Sequence, residues 1–528
     1  MAWAKPNCIA RIYGPANAAH VEYSDRLQRP GPELAATFFG HPRGLATLFL
    51  TEMWERFTYY GMRALLVLFL VTQVSSGGFG LDDKTAAAIY GLYTASAYLA
   101  GLPGGWIADR LIGAQRAVLA GGAAISLGNT LLALSTTPRG FYLGLVVIVL
   151  GIGLLKPNVS AIVADLYPEG GARLDSGFTI FYIGINVGGF LGPLVTGAAQ
   201  VLYGARAGFA AAGLFMAVGV VQFLFNRRLL NGAGAYVPPD PFIADSAAIR
   251  SRNWARLWVV VGTAALLLGG VTAGVIPVNA VALARVITYV IVAMAVLYFL
   301  YYFFVADLTA EERRRGVVLA VLFVGCALFF SGYEQAGSSL NLFAERYTDR
   351  TLEWLHFVIP ASWFQSLNSL YIFIFAPFFA WAWIALAARN LNPSAPAKFA
   401  IAVMLMGSGF LVMAAAATIV AAGSKVLPYW LILTYMLHTL GELCLSPVGL
   451  SYYTKLAPKR FVGQMMGMWF LALSLGNLVA SLIAGEFDDK HVAAMPGQYM
   501  HIVYFLVGLG AVLLVLSRPV KKLMGNVE

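Results

Sequence analysis

The chain has 528 residues, of which 59% are hydrophobic and 11% are charged. A soluble domain carries about 25% charged residues, so this composition excludes an ordinary soluble protein and predicts a polytopic membrane protein. The formal net charge is +10, but the sequence shows no soluble domain that could carry a basic surface. Nucleic acid is therefore not an expected partner.

The first 43 residues contain several prolines and scattered charges but no continuous apolar core. They do not resemble a secretory signal. We predict that residues 1–43 form a cytoplasmic N-terminal segment.

From residue 44 onward, apolar runs alternate with short polar connections. About fourteen runs are long enough to cross roughly 30 Å of hydrocarbon. They lie near residues 45–72, 85–109, 116–136, 140–164, 177–200, 207–226, 255–276, 280–306, 316–343, 353–387, 398–422, 427–453, 462–485 and 498–517. This pattern predicts an all-α membrane protein with 14 transmembrane helices.

The runs divide into two blocks of six, separated by a Gly/Pro-rich stretch and two further runs with few polar groups. Transporters are often built from paired repeats around a site near the membrane midplane, and this layout favours such a body with an inserted, lipid-facing hairpin. The alternative is a coincidence of counting, because the two halves share no strong internal identity. The predicted units are 44–226 (N-terminal six-helix bundle), 227–314 (linker and hairpin), 315–518 (C-terminal six-helix bundle) and 519–528 (cytoplasmic tail).

Lysine and arginine are distributed unevenly over the predicted loops. Placing both termini in the cytoplasm puts the basic residues inside by about three to one, as the positive-inside rule requires. Most of the positive net charge is therefore a topology signal.

The first run contains charged side chains at positions that must lie within the membrane. Charges at bilayer depth normally face a partner, a cavity or a transport pathway. At roughly 100° per residue, six side chains of this run fall within an arc of about 140°. They are Glu52, Glu55, Arg56, Tyr59, Tyr60 and Arg63.

Three other runs carry isolated ionisable residues, namely Lys156, Glu334 and Glu442. A lone lysine in an apolar run is expected to have a partner. The simplest expectation is an ion pair across the helices from Lys156 to Glu334 or to the carboxylates of the first run. The alternative is a static ion pair that only fixes helix packing.

Neutral polar and aromatic residues within the runs could complete a cavity for a small polar solute. They are Tyr98, Asn186, Gln365, Asn368 and Trp469. Each one could equally be an ordinary interhelical contact.

At the predicted cytoplasmic edge of the second run, Asp109 and Arg110 lie in the segment GGWIADRLIG. An aspartate here can cap a helix and pair with a basic residue across the loop. We expect a gate or hinge contact; the alternative is a simple helix stop.

The sequence gives no sign of an enzyme or of a metal site. No HExxH motif occurs, the six histidines form no metal-ligand spacing, and the three cysteines are too few and too scattered for a disulfide framework. We expect no cofactor and no metal.

The motif ExxERFxYYG at residues 52–61 resembles the first-helix signature of the proton-dependent oligopeptide transporter (POT) family, a branch of the major facilitator superfamily. The stretches GGWIADRLIG, FTIFYIGINVGGF, LLKPN, YEQ, WFQSLN and GELCLSP are similar to further segments of that family. The resemblance covers about 44–517 and includes the inserted hairpin.

The resemblance implies a fold of two six-helix bundles and proton-coupled uptake of di- and tripeptides by alternating access. The substrate-binding residues that it implies are Arg56, Tyr59, Tyr60, Arg63, Tyr98, Lys156, Asn186, Glu334, Asn368, Glu442 and Trp469. The proton-coupling residues that it implies are Glu52, Glu55, Arg56, Lys156 and Glu334.

In this scheme Arg56 and Lys156 hold the peptide's carboxylate, and Glu442 takes its ammonium group. The second-helix histidine of the animal members is absent, since Tyr90 to Tyr93 occupy that segment, so carboxylates would carry the coupling. The resemblance further implies a multi-pass protein of the bacterial inner membrane that functions as a monomer.

A second hypothesis keeps the fold and changes the solute to nitrate, an amino acid or a modified peptide. Glu442 argues against a simple anion, because a carboxylate in the cavity would repel it.

Overall fold

The computed structural model describes residues 37–235, 246–487 and 489–524. Most of the predicted N-terminal segment, part of the linker and the last four residues lie outside this range. The predictions for those parts of the chain therefore stay predictions.

The described residues form sixteen α-helices. They are α1 (Arg43–Val71), α2 (Asp83–Leu99), α3 (Gly101–Ile107), α4 (Ala114–Leu134), α5 (Pro138–Asp165), α6 (Gly171–Tyr203), α7 (Ala205–Asn226), α8 (Ser246–Thr272), α9 (Ala280–Phe304), α10 (Ala310–Tyr333), α11 (Ser339–Tyr347), α12 (Ser366–Ala388), α13 (Ala395–Ala421), α14 (Tyr429–Leu456), α15 (Val462–Ala484) and α16 (Met495–Leu523). A short antiparallel hairpin of β1 (Thr351–Leu352) and β2 (Phe357–Val358), in which Thr351 pairs with Val358, lies between α11 and α12.

Twelve of the helical segments in the described chain are long and apolar enough to cross a membrane. Two more spans, α1 and α2 with α3, complete the predicted fourteen. The α1 helix is long enough to cross a membrane but is more charged than the twelve, because every 18-residue window of it contains at least three charged residues. The α2 helix is short by itself, but α3 and a π-helical turn, Ala108–Ile112, continue it.

The largest difference from the predicted spans occurs at 353–387. Its first residues form the β-hairpin, and the membrane helix begins with a 3-10 turn at Ala361 after Pro360. Hydropathy alone did not separate this apolar hairpin from the helix that follows it.

Two helical bundles meet along a shared face. In the first, α1 packs on α6 and α7 while α4 packs on α5 and α7; in the second, α13 packs on α14 and α16 while α10 packs on α15. The bundles meet where α2 packs on α15 and α6 packs on α12. A Cβ atom at Gly91 would lie 2.1 Å from the Ser481 hydroxyl, so a glycine is required for this approach of α2 to α15.

We call the end of the molecule that carries loops 72–82 and 485–494 the closed end, because polar contacts join the two bundles there. Arg346 forms two hydrogen bonds with Asp83 at 2.6 and 2.8 Å, and Lys84 pairs with Glu486 at 2.8 Å. At the opposite end, which we call the terminal end, α1 begins and α16 ends, and the first third of α6 is largely exposed.

The two helices of the inserted hairpin differ in their surroundings. The most apolar 18-residue stretch within Ala248–Val271 of α8 has no buried residue, which agrees with the expected peripheral position. The α9 helix instead packs on both α2 and α15, so it spans the junction of the two bundles.

Candidate functional site

The charged face of α1 is buried, as the helical arc predicts. Glu52, Glu55, Arg56 and Arg63 are each less than 5% exposed. The Arg56 Nε atom lies 3.2 Å from a Glu52 oxygen and also donates to Glu55. One buried guanidinium therefore neutralises part of the charge of two carboxylates on its own helix.

Each of the two buried arginines of α1 also lies against a tyrosine ring of the same helix. The Arg56 guanidinium carbon is 5.1 Å from the centre of the Tyr59 ring, and that of Arg63 is 5.4 Å from the centre of the Tyr60 ring. These cation–π distances fall within the favourable range of about 6 Å. The predicted aromatic residues thus lie among the cations.

Arg63 joins the two bundles. Its Nη1 donates to Glu334 Oε2 at 3.1 Å, and the Tyr90 hydroxyl donates to the same oxygen at 3.2 Å. Glu334 begins a 3-10 turn, Glu334–Gly337, that separates α10 from α11. Nearby, the Asn341 side chain donates to the Ala64 carbonyl at 2.8 Å, so several bonds fix α1 to this break.

The predicted ion pair of Lys156 with an acidic residue is not found in the described part of the chain. Its ammonium lies 4.4 Å from the centre of the Tyr98 ring, whereas Glu334 is paired with Arg63. Lys156 is therefore held by the face of an aromatic ring, and the expected pairing was wrong for this conformation.

An acidic pole lies on the second bundle. The Asn368 amide donates to Glu442 Oε2 at 2.7 Å and to the Thr439 hydroxyl at 3.1 Å. These bonds connect α12 to α14 and orient the Glu442 carboxylate.

The remaining predicted residues are less closely connected to this group. The Asn186 amide donates to Tyr182 within α6 at 3.0 Å, and Trp469 packs edge-on against Tyr453 with ring centres 5.3 Å apart. Asp109 and Arg110 are exposed in the π-helical turn. Neither forms an ion pair with another described residue, so their gating role stays a prediction.

A small cavity lies between Arg63 and the acidic pole. Its lining residues come from both bundles and are Tyr60, Arg63, Tyr333, Ala336, Gln365, Asn368, Tyr435, His438 and Thr439. The cavity therefore has a cation on one wall, an amide that orients a carboxylate on the other, and phenols between them.

Comparisons with known proteins assign the chain to a family. The family model of the POT family matches residues 115–501. A peptide transporter of Yersinia enterocolitica, YePEPT, is 43% identical over 93% of this chain and 97% of its own length. The chain belongs to the POT family.

Other members are similar over the same extent. A di-/tripeptide transporter of Lactococcus lactis subsp. cremoris is 35% identical over 93% of this chain and 98% of its own length. The crystal structure of a POT peptide transporter in complex with sulfate is 38% identical and superposes with a TM-score of 0.85 over 93% of this chain and 97% of that one. A POT family transporter in complex with 5-aminolevulinic acid gives a TM-score of 0.82 at 31% identity over 92% of this chain and 98% of that one.

Sequence reasoning missed several residues at and around this cavity. Tyr90 was noted only as part of the segment without a histidine, yet it hydrogen-bonds Glu334. His438 is 2% exposed, lines the cavity and leaves its Nε2 atom without a hydrogen bond within the described chain. Its position one turn before Glu442 could have identified it, because residues four apart share a helix face.

No group of three or more potential metal ligands occurs among the described residues. The buried carboxylates around the cavity instead contact arginine, tyrosine and amide donors. The arrangement can bind a solute that carries both charges, and it can exchange ion-pair partners.

Proposed function

We propose that this POT family member is a proton-coupled symporter that carries di- and tripeptides into the cell by alternating access. The observation that supports this most strongly is the separation of charge between the two bundles. Arg56, Arg63 and Lys156 lie on the first bundle, whereas Glu442 lies on the second.

A zwitterionic peptide has two fixed charged ends and variable side chains between them. In the proposed complex Arg56 and Lys156 hold the peptide's carboxylate, and Glu442 with Asn368 holds its ammonium group, while tyrosine rings accommodate the side chains. Charge-assisted hydrogen bonds at both ends are strong and independent of side-chain identity, so such a site accepts many peptides. The names of the Yersinia and Lactococcus relatives support this substrate class.

The proton would act on the Arg63–Glu334 pair. Protonated Glu334 no longer attracts Arg63, so the bond between the bundles weakens and the closed end can separate. A ligand, here the proton, shifts a conformational equilibrium only through its different affinities for the two states. The Arg63–Glu334 pair provides such a difference, because it exists only while the bundles touch. The proposed partner of Glu334 in this step is therefore Arg63, and not Lys156 as expected from the sequence.

From the positive-inside distribution of lysine and arginine we infer that both termini lie in the cytoplasm. In this orientation the closed end faces the outside of the bacterial inner membrane, and the structure is an inward-facing state. The unit of transport is proposed to be a monomer, because both walls of the cavity come from one chain.

The test is uptake of labelled dialanine into liposomes that contain the purified chain, with and without an acidic exterior. We expect accumulation that requires the gradient, competition by unrelated dipeptides, and recovery of intact peptide from the lumen. Absence of uptake in tight vesicles with correctly inserted protein would overturn the proposal. Hydrolysed peptide in the lumen would indicate enzyme activity instead.

A second candidate substrate is another solute with an amine and a carboxylate. The related structure that contains 5-aminolevulinic acid supports this alternative, since that molecule carries both groups. Competition by 5-aminolevulinic acid without competition by dipeptides would favour it. Nitrate lacks a group for Glu442 and should not compete.

A further inference from the structure

We propose that a membrane phospholipid binds in the crevice between the inserted hairpin and the first bundle, with one acyl chain in the crevice and its phosphate on Arg139. The crevice, of about 730 Å³, is formed by α2, α5 and the α8–α9 hairpin. It is separate from the charged cavity, and the proposal is independent of the substrate.

The walls of the crevice are apolar and open towards the lipid. They include Leu150 on α5, which is 59% exposed, and Leu283 on α9, which is 39% exposed. The crevice exists because α9 packs on the protein while α8 contacts it mainly at the π-helical turn near the terminal end. An apolar space of this kind does not hold water, so within a bilayer an acyl chain is the occupant that fits it.

The length of the crevice matches one leaflet. Its lining on α5 runs from Arg139 to Leu150, which at 1.5 Å per residue is about 17 Å. Half of the roughly 30 Å hydrocarbon core is about 15 Å. An acyl chain that enters beside Arg139 would therefore reach about the bilayer midplane.

The single arginine of the crevice lies where a lipid headgroup would be. Arg139 follows the first residue of α5 at the closed end, is exposed, and forms no ion pair with any other described residue. An arginine at the membrane surface attracts a lipid phosphate. Its position and its charge select a phospholipid over an uncharged apolar molecule.

The crevice also reaches a residue that packs on the tyrosines of α1. Tyr93 lines the crevice, is 4% exposed, and its hydroxyl has no hydrogen-bond partner in the described chain. On its other side the Tyr93 ring stacks with Tyr59, with ring centres 6.3 Å apart. A bound lipid would thus contact a residue that supports the α1 tyrosines.

The test compares two ligands with the same acyl chains by native mass spectrometry of the delipidated full-length protein. The probes are dioleoyl phosphatidylglycerol and dioleoylglycerol, which lacks the phosphate. We expect the wild-type protein to bind the phospholipid about fivefold more tightly, and Arg139→Gln to abolish this preference. Equal binding of the two probes by the wild-type protein would overturn the proposal, as would a preference that persists in Arg139→Gln.

Two further variants locate the acyl chain and control for charge. Val146→Trp fills the crevice and should weaken both probes, and Leu283→Trp on the facing wall gives a second variant should the first not fold. Arg285→Gln removes an exposed arginine two residues from Leu283, about 200° around α9, and should change neither affinity. Unchanged binding of both probes in a folded crevice-filling variant would place the lipid elsewhere.

Discussion

Arg56 and Arg63 lie on the same helix, about two turns apart, and both are buried, yet they are paired in different ways. Arg56 contacts Glu52 and Glu55 on its own helix. Arg63 contacts Glu334, which belongs to the other bundle. The first arrangement persists when the bundles move as rigid bodies, whereas the second must break.

This difference separates a static charge cluster from a conformation-dependent one. Removing one partner of a buried ion pair destabilises a protein more than removing one partner of a surface pair, because the other charge is left buried and uncompensated. Around Arg56 the free-energy change on losing a partner is the same in every conformation. At Arg63 this free-energy change differs between conformations, and only such a difference can couple protonation to movement.

The largest effect is expected from Glu334→Gln, which keeps the shape of the side chain but can neither bind a proton nor pair with Arg63. Gradient-driven accumulation of dialanine should fall at least about tenfold, while counterflow without a gradient is retained. The matched control is Glu311→Gln on α10, the helix that precedes Glu334, where a surface pair with Arg315 contributes little. Full gradient-driven uptake by Glu334→Gln would remove this residue from the coupling.

Glu442→Ala tests the acidic pole, which lies outside the Arg63 contact. Losing a charge-assisted hydrogen bond to the peptide's ammonium group should weaken dialanine binding by about tenfold. Inhibition constants for dialanine and N-acetyl-dialanine against labelled substrate provide the measurement, and the acetylated peptide is the internal control. Equal losses for both peptides would show that Glu442 does not contact the amine.

The charged face of α1 could be predicted from the sequence because the membrane leaves few alternatives. Apolar runs must form helices whose backbone bonds are internal, and their charges must turn away from lipid. The burial of Glu52, Glu55 and Arg56 follows from these two rules and the helical period. The same rules located fourteen spans with errors mainly at the loops.

The partners across the bundles could not be predicted, because they depend on helix depth and rotation. The sequence contains Glu334 between Gly332 and Gly337 but does not show that the helix breaks there. This break places the carboxylate opposite Arg63 and Tyr90. It leaves Lys156 on the face of Tyr98, a contact that charge complementarity does not suggest.

Tyr90→Phe sharpens the comparison by weakening the contact between the bundles without removing a charge. Loss of one hydrogen bond to Glu334 should increase, by about fivefold, the population in which the two bundles are separated at the closed end. Distances between spin labels at Ser75 and Ser424, exposed on loops of the two bundles, would report this shift. The labels would be attached to cysteines introduced at these two positions in a chain in which Cys8 is replaced by serine. Cys326 and Cys444 can stay, because both are buried.

Tyr203→Phe is the control for this measurement, because Tyr203 is 80% exposed near the closed end. Its loss should leave the distance distribution unchanged. A distribution in Tyr90→Phe equal to that of the control would mean that Arg63 alone holds Glu334.

The smallest effects are expected at the rim of the closed end, where adjacent residues form unequal contacts. Asp83 accepts two hydrogen bonds from Arg346 and is largely shielded, whereas Lys84 and Glu486 are 42% and 64% exposed at the side chain. Asp83→Asn should therefore shift the same label distances by about threefold in population, and Lys84→Gln by less than about twofold. Raising the salt concentration to about 1 M should erase the effect of Lys84→Gln and spare most of the effect of Asp83→Asn, because exposed pairs are screened more strongly. A larger population shift in Lys84→Gln than in Asp83→Asn would contradict this prediction. It would mean that the rim, and not the buried pair of Arg63, holds the bundles together.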